Sequence, residues 1–139
     1  MKSLAWFLVS ASAFALASCS PTEARKPTYR TVGKVTLPDG KPAEHASVVL
    51  HPVGDAAAGV PKPHGKVGAD GTYKLTTYDT DDGAPAGEYR VTVELWLAGR
   101  ADEPPANRLN LKYAKPESSG LTATVGTEPA EIKTIELQR

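Results

Sequence analysis

Three histidines, His45, His51 and His64, are the residues whose type first suggests metal binding. His51 and His64 flank the segment 52–63, so two neighbouring strand ends could bring their rings together. A metal site would need a third ligand, either His45 or a nearby aspartate. The alternative is that all three are surface histidines at strand ends. We favour that alternative and expect no metal ion and no other cofactor.

A second group with possible chemistry is the acidic run formed by Asp79, Asp81 and Asp82 ahead of Gly83. Carboxylate oxygens are ligands that calcium prefers, but the run lacks the length and the distal glutamate of an EF-hand loop. Aspartate is also frequent in turns, because its carboxylate bonds nearby backbone amides. We therefore expect a turn between strands rather than a calcium site.

Groups suited to covalent catalysis are scarce in this sequence. There is no Gly-x-Ser-x-Gly elbow to carry a nucleophilic serine. The single cysteine, Cys19, lies directly after an N-terminal apolar segment that is typical of export. We therefore predict that the protein is not an enzyme.

Trp96 is the aromatic residue best suited to binding. It takes an outward position in the run 88–97, where apolar odd positions alternate with mostly polar even ones. An exposed tryptophan stacks on a sugar ring or anchors a protein partner, and Tyr78 and Tyr113 are further candidates for such contacts. Alternatively, the loop 98–105 folds over Trp96 and makes it ordinary packing, which is the interpretation we favour.

The elements that must position these residues have the pattern of short strands. Clusters of Gly, Pro and Asp separate β-prone runs at 31–37, 46–51, 66–69, 72–77, 88–97, 121–125 and 132–137. This rhythm predicts an all-β fold, a single seven-stranded antiparallel β-sandwich. Only the segment 107–114 could form a helical turn, and it is too short to be stable alone.

Composition restricts the classes of function. The chain has 139 residues, with 16 basic and 16 acidic side chains and no formal net charge. Nucleic-acid binding would need a basic face, so we expect no nucleic-acid partner. One cysteine excludes an intrachain disulfide. The oligomeric state stays open at this stage.

The N-terminus has the pattern of an export signal. Lys2 precedes an apolar run over 4–16, which is shorter than the roughly 20 residues that a spanning helix needs. The run ends Leu16-Ala17-Ser18-Cys19, which resembles the bacterial lipobox, where the cysteine is acylated and the chain is cut before it. An ordinary cleavage near Ala17, leaving a free thiol, is the alternative.

The lipobox resemblance implies the domain organisation and the location. A lipoprotein signal peptide would cover 1–18, a lipidated Cys19 and tether would cover 19–28, and the sandwich domain would cover 29–139. The expected location is outside the cytoplasm, anchored to a membrane by the lipid. Ser20 after the cysteine implies the outer membrane, on its periplasmic face or at the cell surface.

The order of motifs along the domain resembles the carboxypeptidase regulatory-like domains, which have the transthyretin-like (prealbumin-like) fold. The motifs are Gly33-Lys34-Val35-Thr36, Asp39-Gly40-Lys41-Pro42, Ala46-Ser47-Val48-Val49-Leu50, Gly68-Ala69-Asp70-Gly71-Thr72-Tyr73-Lys74-Leu75 and Pro85-Ala86-Gly87-Glu88-Tyr89-Arg90-Val91-Thr92-Val93. The stretch 105–122 is similar to small planctomycete lipoproteins of this class. The resemblance implies an accessory module, and with the lipobox and the lack of catalytic groups it predicts a non-enzymatic structural or protein-binding role at the envelope. Trp96 and the tyrosines support the alternative, a module that binds envelope polysaccharide.

Overall fold

The computed structural model describes residues 25–54 and 59–138. The predicted signal peptide and Cys19 lie outside them. Within these ranges the chain forms short strands and one short 3-10 helix, and no helix there is long and apolar enough to span a bilayer. The strands are β1 Thr28–Tyr29, β2 Thr31–Thr36, β3 Ser47–Pro52, β4 His64–Lys66, β5 Thr72–Lys74, β6 Ala84–Pro85, β7 Gly87–Glu94, β8 Trp96–Leu97, β9 Ala106–Asn107, β10 Leu121–Val125, β11 Ala130–Glu131 and β12 Ile135–Glu136.

The larger sheet has the order β10-β7-β3-β4, with antiparallel pairing throughout. β7 lies inside it because its alternating residues suit a strand with one apolar face. Tyr89, Val91 and Val93 are buried, whereas Glu88 and Arg90 are exposed. The alternation in the sequence therefore predicted the inner face of this strand correctly.

The second sheet is built around β2. β5 pairs with one edge of β2 in antiparallel fashion, and β11 and β12 pair with it in parallel. At the edge where the two sheets meet, the amide and carbonyl of His64 exchange hydrogen bonds of 3.0 and 2.8 Å with those of Thr76. The β-sandwich prediction is confirmed, but the count of seven strands and the purely antiparallel pairing were wrong.

One hydrophobic core lies between the sheets. Its largest fully buried side chains are those of Tyr73, Tyr89, Leu50 and Leu75. Burial raises the pKa of Tyr73 to about 12, and burial with the nearby Tyr78 raises that of Tyr89 to about 12. The hydroxyl of Tyr89 donates a 2.7 Å hydrogen bond to the carbonyl of Pro85. Both phenols are therefore neutral core residues at physiological pH.

Gly33 makes room for the ring of Tyr73. These residues are directly opposite each other across the β2–β5 pair. A Cβ atom at position 33 would overlap the ring, which is buried and cannot swing away. Position 33 must therefore be glycine for the ring of Tyr73 to pack against β2, because any side chain there would overlap the ring.

Local turn chemistry agrees with the sequence. Gly71 adopts a positive φ of 84° in the turn between β4 and β5, and the amide of Gly68 donates a 2.8 Å hydrogen bond to the carbonyl of Thr72. The segment 107–114 holds the 3-10 helix Leu111–Ala114, which is capped by the side chain of Asn110. The predicted run 66–69 is displaced, since β4 is His64–Lys66.

The C-terminal end of the segment predicted as a tether contacts the domain. Thr28 pairs with Pro85 in the β1–β6 ribbon. Arg25 forms a 3.0 Å ion pair with Asp79. Residues 25–28 therefore contact the folded domain, because strand pairing and an ion pair hold them there.

Candidate functional site

Trp96 lies on a two-stranded ribbon that leaves the larger sheet after β7. β8 pairs with β9, so that Trp96 is opposite Asn107 and Leu97 is opposite Ala106. The side chain of Trp96 is 57% exposed, and its Nε1 donates a 2.5 Å hydrogen bond to the carboxylate of Glu94. The indole therefore presents an accessible ring with a carboxylate beside it.

The favoured expectation that the loop 98–105 covers Trp96 was wrong. Pairing of Leu97 with Ala106 draws the two ends of the loop together and closes it as a hairpin. Within the loop, the amide of Glu103 donates a 2.6 Å hydrogen bond to the carbonyl of Arg100. Leu97 was expected to face the core, but it is 39% exposed. It is exposed because it pairs with Ala106 in the ribbon and not with a strand of the larger sheet.

Asn107 fixes the ribbon to the sandwich, and sequence reasoning did not single it out. Its side-chain oxygen accepts hydrogen bonds from the amides of Leu95 at 3.0 Å and Leu109 at 3.1 Å. The amide of Arg108 returns a 2.8 Å bond to the carbonyl of Leu95. Because Leu95 directly precedes Trp96, these bonds set the direction in which the indole projects.

Tyr78 and Tyr113 do not add to the surface around Trp96. The guanidinium of Arg25 lies 5.2 Å from the ring centroid of Tyr78. The hydroxyl of Tyr78 accepts a 3.2 Å hydrogen bond from the amide of Lys26. Tyr78 therefore lies near β1 and the start of β7, at the opposite end from Trp96. Tyr113 is only 3% exposed, so the proposed stacking role for its ring is wrong.

Tyr113 is instead a core residue with a structural hydrogen bond. Its hydroxyl accepts a 2.8 Å bond from the amide of Gln138, and the Nζ of Lys112 lies 4.8 Å from its ring centroid. It ties the 3-10 helix to the segment after β12. Its burial follows from that long-range packing, which no local pattern indicated.

The acidic run is a turn, as predicted. The carboxylate of Asp82 accepts hydrogen bonds from the amides of Thr77 at 2.7 Å, Tyr78 at 3.1 Å and Asp79 at 3.2 Å. Asp79 pairs with Arg25 and Asp81 with Lys74. The three carboxylates thus each have partners within the protein.

The histidines occupy separate environments. His51 Nε2 is 3.0 Å from the hydroxyl of Thr92, and His64 Nδ1 is 3.2 Å from the carbonyl of Lys62. His45 lies in a turn with a positive φ of 68°. Across residues 25–54 and 59–138, no group of three His, Cys, Asp or Glu side chains is close enough to hold a metal ion.

Comparison with known proteins yields one distant structural neighbour. No family model matches the chain, and no curated protein matches it. A Pseudomonas aeruginosa protein, provisionally named as carbohydrate-binding, has a crystal structure that aligns with a TM-score of 0.44 at 13% identity. The alignment covers 84% of this chain and 91% of that one. A likeness this distant supports no inference about ligands, and the family resemblance stays a prediction.

Trp96 is the candidate residue whose outward direction the sequence predicted. Alternation along β7 and β8 predicted its outward direction, and the ribbon explains its exposure. Nothing in the sequence around Asn107 predicted that its side chain would fix the ribbon to the sandwich. Its role depends on two backbone amides that only the fold brings to it.

Proposed function

We propose that this chain is an exported lipoprotein whose β-sandwich is a non-enzymatic binding module at the cell envelope. The single observation that carries the binding half is the exposure of Trp96, 57%, on a two-stranded ribbon separate from the two main sheets. Tryptophan is enriched among residues that dominate protein–protein binding energy. Leu97, exposed beside it, extends the apolar area available to a partner.

The anchoring half of the proposal rests on Leu16-Ala17-Ser18-Cys19 after the apolar run. Acylation would remove the reactive thiol, and more than one acyl chain holds a protein at a bilayer far better than one. Ser20 favours the outer membrane. Arg25, six positions after Cys19 in the sequence, already contacts the domain through its 3.0 Å ion pair with Asp79.

A Cys19→Ala substitution tests the anchor. We expect the variant to move from the membrane fraction to the soluble fraction of the producing cells, and metabolic labelling with palmitate to mark only the wild type. Ser20→Ala, which keeps the cysteine, is the matched control and stays in the membrane. Unchanged membrane retention of Cys19→Ala would contradict the anchor without affecting the binding proposal.

Crosslinking in intact cells, followed by mass spectrometry, tests the binding half. We expect one recurrent protein partner with wild type and loss of that partner with Trp96→Ala. Trp96→Phe, which keeps an aromatic ring, should retain most of the crosslinked product. A partner captured equally well by Trp96→Ala would show that the ribbon is not the docking surface.

Glycan binding is a second candidate, and the contact between Trp96 and Glu94 favours it. An indole face stacks on the apolar face of a sugar ring, while a neighbouring carboxylate can accept hydrogen bonds from sugar hydroxyls. Affinity gels that contain an envelope polysaccharide would then retard wild type and not Trp96→Ala. Equal migration of wild type with and without glycan would argue against this candidate.

A further inference from the structure

A groove on the larger sheet lies away from the Trp96 ribbon. It has a volume of about 490 Å³ and is lined by His51, Pro52, Lys62, Arg90, Pro116 and Glu117, together with Val53 and Gly54. β3 and β7 form its floor, since His51 is directly opposite Arg90 in their register. The segment before β10 supplies Pro116 and Glu117 on one side.

The groove contains two cationic side chains that are available to a ligand. Lys62 and Arg90 are exposed, and the ion pairs formed within the described residues involve other side chains. Arginine presents a planar fork that matches a carboxylate in a bidentate way, and lysine adds a point charge. The side chains therefore suit an anionic group.

The other lining residues favour a ligand that carries hydrogen-bond donors and an apolar face as well as an anionic group. Glu117 is also outside the described ion pairs, so its carboxylate is available to accept hydrogen bonds from hydroxyl donors. Pro52 and Pro116 are rigid apolar walls. A uronate carries one carboxylate and several hydroxyls on a rigid ring, so its carboxylate can contact the two cations while a hydroxyl donates to Glu117.

We propose that this groove binds a carboxylate-bearing sugar residue, a uronate, of an acidic polysaccharide. The carboxylate contacts Arg90 and Lys62, and the hydroxyls face Glu117. The inference deepens the glycan-binding candidate above and rests on it. It adds a second site whose floor residue Arg90 lies at most about 20 Å from Trp96, since the two are six positions apart and an extended chain rises roughly 3.3 Å per residue.

Retention of the full-length chain, in a nonionic detergent, on immobilised polygalacturonate tests the proposal. We expect wild type to bind, and Arg90→Gln and Lys62→Gln each to weaken binding about tenfold, as loss of one charge-assisted hydrogen bond does. Lys66→Gln, an exposed lysine of the same sheet outside the groove, is the matched control and should bind as wild type does. Methyl-esterified polygalacturonate, which lacks the charge, should retain none of them.

The outcomes separate the groove from the Trp96 surface. Loss in the groove variants with retention in Trp96→Ala supports the groove. Loss in Trp96→Ala with full retention in Arg90→Gln and Lys62→Gln overturns the groove and keeps the glycan candidate. No retention of wild type overturns the groove, while the Trp96 glycan candidate is decided separately by the affinity gels that contain an envelope polysaccharide. Binding that persists at about 1 M salt, where the Debye length is about 3 Å, would also contradict an ionic site.

Discussion

At the scale of the residue, Trp96 and Tyr113, two aromatic side chains that the sequence offered as candidates for binding, differ sharply in exposure. Trp96 is 57% exposed and contacts Glu94, whereas Tyr113 is 3% exposed and is bonded to Gln138. The energy of a buried aromatic ring comes mainly from the apolar area that it removes from water. The two residues should therefore differ in what their removal does to stability.

We expect Trp96→Ala to change the free energy of unfolding by less than about 0.5 kcal/mol, as is usual for surface substitutions. Tyr113→Ala should lower it by about 3 kcal/mol, because it leaves a cavity and removes a hydrogen bond. Urea unfolding followed by circular dichroism measures both. A loss with Trp96→Ala as large as with Tyr113→Ala would mean that the indole is packed against the protein.

At the scale of the element, the turn between β5 and β6 is organised by one carboxylate. Asp82 accepts hydrogen bonds from three backbone amides, those of Thr77, Tyr78 and Asp79. Gly83 follows with a φ of 93°, and a Cβ there would overlap the carbonyl oxygen of Tyr29. The close approach of Gly83 to Tyr29 therefore holds β1 beside β6, because Gly83 directly precedes the first residue of β6.

Asp82→Ala should lower the free energy of unfolding by about 2 kcal/mol, because it leaves backbone donors without their acceptor. Asp79→Ala removes only an exposed ion pair, and so does Asp81→Asn, because asparagine tolerates the positive φ of 59° at position 81. Each should cost less than about 1 kcal/mol. Thermal melts of the three variants test this order, with and without added calcium. If calcium raised the melting temperature of wild type but not of Asp82→Ala, the turn would be a cation site instead.

At the scale of the whole molecule, His51 lies where distant parts of the chain meet. It contacts Thr92 of β7, and the charges of Lys62 and Glu117 act on it from two other segments, while Arg90 lines the same groove. Burial is the main cause that lowers the pKa of His51 below its usual 6.5, and Lys62 lowers it further against the opposing effect of Glu117. The folded state thus favours the neutral imidazole.

This shift gives the stability a pH dependence of known sign. As the pH falls through 6.5, the unfolded chain binds a proton at His51 before the folded chain does, so the free energy of unfolding decreases. We expect wild type to lose stability between about pH 7.5 and about pH 5.5, a range above most carboxylate titration. His51→Gln should flatten this slope and His45→Gln should not. Equal slopes in wild type and His51→Gln would contradict the assignment.

Much of the fold could be predicted from local patterns. Alternation over 88–97 identified the inner face of β7, and Asp70-Gly71 identified the tight turn between β4 and β5, because strand period and turn geometry depend on neighbouring residues. The acidic run was correctly assigned as a turn for the same reason. The outward direction of Trp96 followed from the alternation as well.

The tertiary structure alone decided the rest. Parallel pairing of β11 and β12 with β2 joins residues about 100 positions apart, and side-chain alternation is the same for parallel and antiparallel partners. Pairing of β8 with β9 left Trp96 exposed, and packing against the end of the chain buried Tyr113. The groove is lined by His51, Lys62, Arg90 and Glu117. Their spacing along the sequence does not predict that they are neighbours, because side chains from separate segments come together only when the sheet has formed.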